Sequence, residues 1–224
     1  MSSTMGMNLK NRREKEKLER HEEILDAAER VFFHKSFEHS TMDEIAREAQ
    51  LSRALLYVYF RDKLAIMRGI MLRAGRSLQG RFEQALQQHH TGLMQIEGIG
   101  HAYHAFSREE PDYFDVLTSV TTLPGPETMD AQIMAMDHCR ERINDIMVEA
   151  LRNGLRDGSI NPQYVTDPLQ TAFFLQGALH GVIMQTRGPK SALSTYPDAH
   201  QLVLYTISML TRSMQNNTSV LSSR

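Results

Sequence analysis

The stretch STMDEIAREAQLSRALLYVYFRDK, Ser40 to Lys63, constrains this chain more than any other. Glu44 follows Thr41 at the spacing where a capping hydroxyl and a returning carboxylate satisfy each other's orphan amides, so a short helix opens near Thr41. Met42, Ile45, Ala46 and Ala49 recur at helical spacing, while Asp43, Glu44, Arg47 and Glu48 fall on the wet side. Gln50-Leu51-Ser52 leaves room only for a turn, and Ser52 can accept from the amides of a second helix that runs from about Arg53. Leu51, Leu55, Leu56 and Phe60 are expected to dock inward, leaving Arg53, Ala54, Tyr57, Val58 and Tyr59 on the outer face or its edges. Two short helices across a tight turn have the dimensions of a helix-turn-helix, whose second helix lies in the major groove of DNA.

Composition limits the alternatives. The 224 residues are 41% hydrophobic, enough for a buried core in two small domains or one large one. With 13 glycines, 7 prolines and few alternating β-branched runs, an all-α chain is predicted. A net charge of −2 does not advertise nucleic-acid binding, and residues 1–63 hold twelve Lys and Arg against twelve Asp and Glu. Locally, residues 8–20 carry six basic side chains against three glutamates. Such a segment is open to two readings, an arm that meets phosphates or a solvated lead-in to the first helix. The single cysteine, Cys139, excludes an internal disulfide and suits a reducing compartment. MSSTMGMNLK lacks an apolar core of signal-peptide length and no apolar run approaches a membrane span, so a cytoplasmic chain without a membrane partner is expected.

In order, the chain reads as a flexible basic arm over 1–16, a DNA-binding domain over 17–63, a helical domain over 64–215 and a flexible tail over 216–224. Residues 1–9 are small, polar and expected to be disordered. Ile24, Leu25, Ala28, Val31 and Phe32 form the apolar stripe of the first helix, which ends around Lys35-Ser36. After Lys63 a fourth helix continues towards Leu86 with no Pro/Gly/Ser-rich linker, a rigid bridge between the two domains. Further helices are predicted over Leu93 to Arg108, Pro111 to Leu123, Met129 to Asp157, Asp167 to Arg187 and Pro197 to Gln215. Pro124-Gly125-Pro126, Asp157-Gly158 and Gly188-Pro189 punctuate them, and Pro111, Pro168 and Pro197 suit first turns. No internal repeat is visible.

From Ile24 through Lys63, the order ILDAAERVF, STMDEIAREA and LSRALLYVYFRDK resembles the N-terminal domain of the TetR family of transcriptional regulators. Ser36, Gln50 and Ala54 stand where that family usually has glycine. A side chain at a left-handed helix terminus costs roughly 1 kcal/mol, which the fold tolerates, and Ala54 bears on how closely the backbone approaches DNA. The resemblance implies a three-helix DNA-binding domain followed by a helical ligand-binding and dimerisation domain. It places Thr41, Tyr57, Tyr59 and Lys63 at phosphates, with Ser52 and Ala54 in the same interface; Arg53 is placed for a guanine edge, with phosphate as the competing contact. It also implies a homodimer on two-fold symmetric double-stranded DNA, with an interface from Phe174, Gly177, Ala178, Gly181, Leu202, Tyr205 and Met209. Completion of a monomer core is the rival reading of those two helices.

A small-molecule effector site is expected among Phe106, Tyr113, Phe114, Met136, Cys139, Ile143, Met147 and Phe173, with His101, Tyr103, His104 and Gln176 as polar groups. Tight packing would use the same apolar residues. His101 or His104 is expected to donate to an uncharged or weakly anionic effector. As metal ligands the two histidines lack a third partner, and His138-Cys139 point apart on a helix, so they form no nucleophile and base pair. No catalytic residue, metal or cofactor is expected. The favoured function is a dimeric, ligand-responsive regulator, more a repressor than an activator. The alternative is a helical small-molecule carrier or enzyme in which the helix-turn-helix only packs.

Overall fold

The computed structural model describes residues 2–119, 130–187 and 198–216. Among them the chain is all helical apart from turns and a lone antiparallel bridge between Ile160 and Gln215. The chain divides into two compact units, 1–73 and 74–224.

The first unit holds α1 (Ser2–Lys35), α2 (Met42–Glu48), α3 (Arg53–Tyr59) and the opening of α4 (Lys63–Gln88). Helical backbone begins at Ser2, where the sequence predicts disorder. From Arg12 onward, charged side chains pair along this helix. Arg12 pairs with Glu16 at 2.8 Å, Lys15 with Glu19 at 3.6 Å and Arg20 with Glu23 at 2.7 Å, each one helical turn apart. Alternating signs thus support a helix and pair off half of the local basic side chains. Further along, Ile24, Leu25, Ala28 and Phe32 bury the predicted stripe with Ile45, Ala46, Leu56 and Phe60. Arg73, on α4, donates to Glu22 at 2.6 Å, Asp26 at 2.7 Å and Glu29 at 3.0 Å, fixing α4 along α1. α1 stops where Ser36 turns left-handed at φ 69° and its amide donates to Phe32 O at 2.8 Å.

The second unit takes the rest of α4 with α5 (Gly92–Glu109), α6 (Pro111–Ser119), α7 (Ala131–Asp157), α8 (Pro168–Arg187) and α9 (Ala199–Met214). Side-chain caps set the starts. Thr91, Asp130 and Asp198 accept from the amides of Met94, Ile133 and Gln201. α7 and α9 consequently begin two residues later than the Met129 and Pro197 predicted, because a capping aspartate is itself non-helical. Met129, Pro197 and the predicted end of α6 at Leu123 lie outside the described residues. Pro168 does open α8, with Asp167 accepting from Leu169 and Gln170. α7 ends at Gly158, φ 76°. α5 crosses α7 at a glycine contact so close that a Cβ on Gly92 would sit 1.9 Å from Gly154 N.

Candidate nucleic-acid interface and effector cavity

The turn between α2 and α3 is built from short-range hydrogen bonds. Thr41 Oγ1 accepts from Glu44 N at 3.3 Å, and Glu44 Oε2 accepts from Thr41 N at 3.0 Å, completing the predicted capping box. Lys35 and then Thr41 hold the Glu44 carboxyl below the usual carboxylate range. Gln50 is left-handed at φ 56°, as expected of a residue standing at the usual glycine position. Leu51 N then donates to Ala46 O at 2.8 Å, and Ser52 caps α3 by accepting from Leu55 N at 3.2 Å.

On α3, Leu56 and Phe60 are buried, whereas Leu55, predicted to dock inward, is 39% exposed. The helix is only two turns long, and its buried side is narrow enough to hold the one-turn pair Leu56 and Phe60 but not their neighbour. Arg53, Ala54, Tyr57 and Val58 face solvent, Val58 being 72% exposed, and Tyr59 is half-buried at the edge. Arg53 Nη1 donates to Asp43 Oδ2 on α2 at 3.1 Å, and its guanidinium lies 5.6 Å from the Tyr57 ring centre. Tyr57 first, then Asp43, hold Arg53 more firmly charged. Lys63, for which a phosphate contact is expected, makes contacts within the protein. Its ammonium donates to the carbonyls of Ser40 at 2.8 Å and Phe37 at 2.5 Å, reaches Glu38 O at 3.5 Å, and stands 4.4 Å from the Phe37 ring centre. The lysine thus ties together the loop between α1 and α2.

In the second unit a narrow cavity of about 40 Å³ lies among α4, α5, α7, α8 and α9. Of the expected effector residues it gathers Tyr103, Ile143, Met147 and Gln176. A single water needs roughly 10–15 Å³, so any organic guest must part these helices. The remaining candidates are elsewhere. Phe106 and Phe114 are fully buried core, their ring centres 6.3 Å apart. Cys139 is buried, donates to Gln79 Oε1 at 3.5 Å and fills the space beside Gly75. Tyr113 and Met136 are half-buried and do not line the cavity. Phe173 is 57% exposed on the outside of α8.

His101 is exposed in a separate groove with Arg81 and Glu97. His104 is buried, and its Nε2 lies 2.9 Å from His200 Nδ1, the same atom to which Arg108 Nη1 donates at 3.4 Å. Arginine can only donate, so His200 Nδ1 is an acceptor and His104 Nε2 carries the proton. The proton on His104 Nε2 is thus engaged with His200, and among the described residues the buried His104 Nδ1 has no hydrogen-bond partner. Burial first, then His200 and Arg108, push its pKa down and keep it neutral. The polar contact at the cavity wall is instead Tyr103, whose hydroxyl lies 2.9 Å from His180 Nδ1. Burial raises the Tyr103 phenol far above its ordinary range, so it keeps its proton.

A sequence profile of the bacterial regulatory proteins of the tetR family matches residues 24–70, the span that builds this capped turn and both flanking helices. Over these residues the chain carries the DNA-binding domain of the TetR family. It is 35% identical over 97 residues to the HTH-type transcriptional repressor BepR of Brucella suis, a match covering 42% of this chain and 46% of that one. It is 23% identical over 129 residues to the HTH-type transcriptional activator FasR of Mycolicibacterium smegmatis, covering 58% of this chain and 59% of that one. This chain thus spans about half the length of the curated relatives it matches. The crystal structure of AibR in complex with isovaleryl coenzyme A and operator DNA has the same fold, with a TM-score of 0.63 at 21% identity, over 86% of this chain and 98% of that one.

In the second unit, α8 and α9 turn apolar side chains outward. Phe174 is 63% and Tyr205 62% exposed, Met209 is exposed beside them, and Ala178 and Leu202 are half-buried. Among the described residues, nothing lies within 4 Å of where a Cβ would stand on Gly177 or Gly181. Cavity residues missed from sequence include Phe82, Ile99, Ile207 and Thr211. The apolar periodicity of the first three was visible, but it signals only a buried face, and which buried face borders a void is a property of five helices together.

Proposed function

We propose that this chain is a ligand-responsive transcription regulator that binds a two-fold symmetric operator as a homodimer and releases it when a small, mainly apolar effector occupies the cavity. The observation that carries the reading is the capped α2-turn-α3 unit, with Arg53, Ala54, Tyr57 and Val58 projecting from one side of α3. An outward side chain set of this size fits a major groove, and the adjacent Thr41, Ser52 and Tyr59 can meet phosphates. Lys63 then acts beneath the interface by holding the loop before α2. Exposed apolar groups on α8 and α9 support a dimer, since a patch of that kind is otherwise a liability on a monomer. The curated relatives include a repressor and an activator; release of the operator by an effector favours repression. AibR was crystallised with both an acyl thioester and operator DNA, and an acyl chain is the kind of slender apolar guest this cavity would admit on opening.

Selection of bound fragments from genomic DNA tests the first part: recovered sites should share two inverted half-sites, and binding without any common site would defeat the reading. Replacing Phe174 and Tyr205 together by Asp should give a monomer in sedimentation velocity and weaken operator binding at least ~ten-fold, without unfolding by circular dichroism. A dimer that persists in that variant would move the interface elsewhere.

A further inference from the structure

The outward face of α3 receives one side chain from α2, the Asp43 carboxylate, which accepts from Arg53 Nη1 at 3.1 Å. A carboxylate on a surface meant for DNA works against binding, because nearby phosphates repel it. It contributes little to folding either, since Asp43 and Arg53 are 53% and 60% exposed and exposed ion pairs stabilise weakly. Its effect is on the arginine. Asp43 accepts from one Nη of the guanidinium while the Tyr57 ring centre lies 5.6 Å from it, so two neighbours bias where the planar fork points. The pair has no net charge and adds nothing to sequence-independent attraction. An arginine without such a partner gains most by swinging to a phosphate, where it carries no sequence information. One restrained beside a carboxylate keeps donors for the O6 and N7 acceptors of guanine, and the carboxylate's spare lone pairs can accept from cytosine N4.

We propose that Asp43 is a specificity-determining residue of the DNA-reading face, holding Arg53 for a guanine edge and denying it to phosphate; the inference rests on the DNA-reading function proposed above. Asp43 also sits in the first turn of α2, where a negative charge favours the helix, so melting temperature alone does not report this role.

The experiment measures fluorescence anisotropy of the full chain on a genomic site recovered by selection and on a scrambled duplex of equal length, across a salt series. Wild type, Asp43→Asn, Asp43→Ser, Arg53→Ala and the Asp43→Asn/Arg53→Ala double variant are compared. Either uncharged variant at Asp43 should strengthen scrambled binding several-fold, steepen the salt slope by about one per half-site, and lower the preference for the recovered site about ten-fold. Without Arg53, the Asp43→Asn change should alter both duplexes equally. An unchanged or higher preference in both uncharged variants overturns the proposal, as does an equal fall in preference when Arg53 is absent. Failure of the wild-type chain to prefer any recovered site overturns the DNA-reading function itself, and this inference with it.

Discussion

In residues 1–73 the α2-turn-α3 unit is shaped by groups close to it in sequence, whereas in residues 74–224 the cavity and the polar contacts around it join residues far apart. Thr41 and Glu44, Ser52 and Leu55, and Ser36 and Phe32 lie three or four positions from each other. Gly92 and Gly154, Tyr103 and His180, and His104 and His200 come from different helices. A reading face whose backbone is fixed by local bonds can keep its geometry while the other unit rearranges. A cavity made by five helices has no such independence, and a guest that parts them changes everything they touch. The contrast suits the proposed function, in which one unit recognises DNA and the other responds to an effector.

The largest test of the contrast is Gly92→Ala. Its methyl would collide with the backbone of Gly154, so α5 and α7 must separate, at a cost of about 3 kcal/mol. Chemical denaturation should show the loss, and near-wild-type stability would mean that the crossing is loose. Next is Lys63→Met, which removes a cation from the carbonyls of Phe37 and Ser40. A loss of about 1–3 kcal/mol is expected, with the salt dependence of DNA binding unchanged. A slope shallower by about one per half-site would instead put Lys63 on a phosphate.

The third test is pH. His104 is held neutral by burial, so its folded pKa lies below that of the unfolded chain, and the unfolded state takes up more protons as pH falls through the ordinary histidine range. Stability is therefore full above about pH 6.5 and declines below it. His104→Gln should decline less between about pH 7.5 and 5.5 in thermal melts, and parallel curves would show that His104 is not responsible. The smallest effect is at Gln50, left-handed at φ 56°. Gln50→Gly should raise stability by up to roughly 1 kcal/mol, and a drop in melting temperature would mean that the side chain contributes more than the backbone strain removes.

The same division decides what could be read without coordinates. The capping box at Thr41, the left-handed Gln50 and the Ser52 cap were legible because each depends on residues within one turn. Leu55 was misplaced because Leu55 and Leu56 are equally apolar, and one residue rotates a helix by about 100°. The effector residues suffered most from this ambiguity. Phe173 and Leu175 lie two positions apart on α8, yet Phe173 faces out and Leu175 lines the cavity. Residue type selected Phe106, Phe114 and Cys139 as lining, and tertiary packing placed them in solid core. Likewise no local signal pairs His104 with His200, ninety-six positions away.

Four glycines imply opposite outcomes in a saturation mutagenesis screen. A methyl on Gly92 would meet the Gly154 backbone and one on Gly154 the buried Ile160 side chain, so larger residues should be rejected at Gly92 and should destabilise at Gly154 whatever property is selected. Gly177 and Gly181 border open space in the single chain, so a screen for soluble, folded protein should pass alanine or serine at both. A screen for transcriptional control in cells should reject many of the same substitutions if two copies close over α8. The difference between the two tolerance maps would outline the subunit contact without a structure of the assembly.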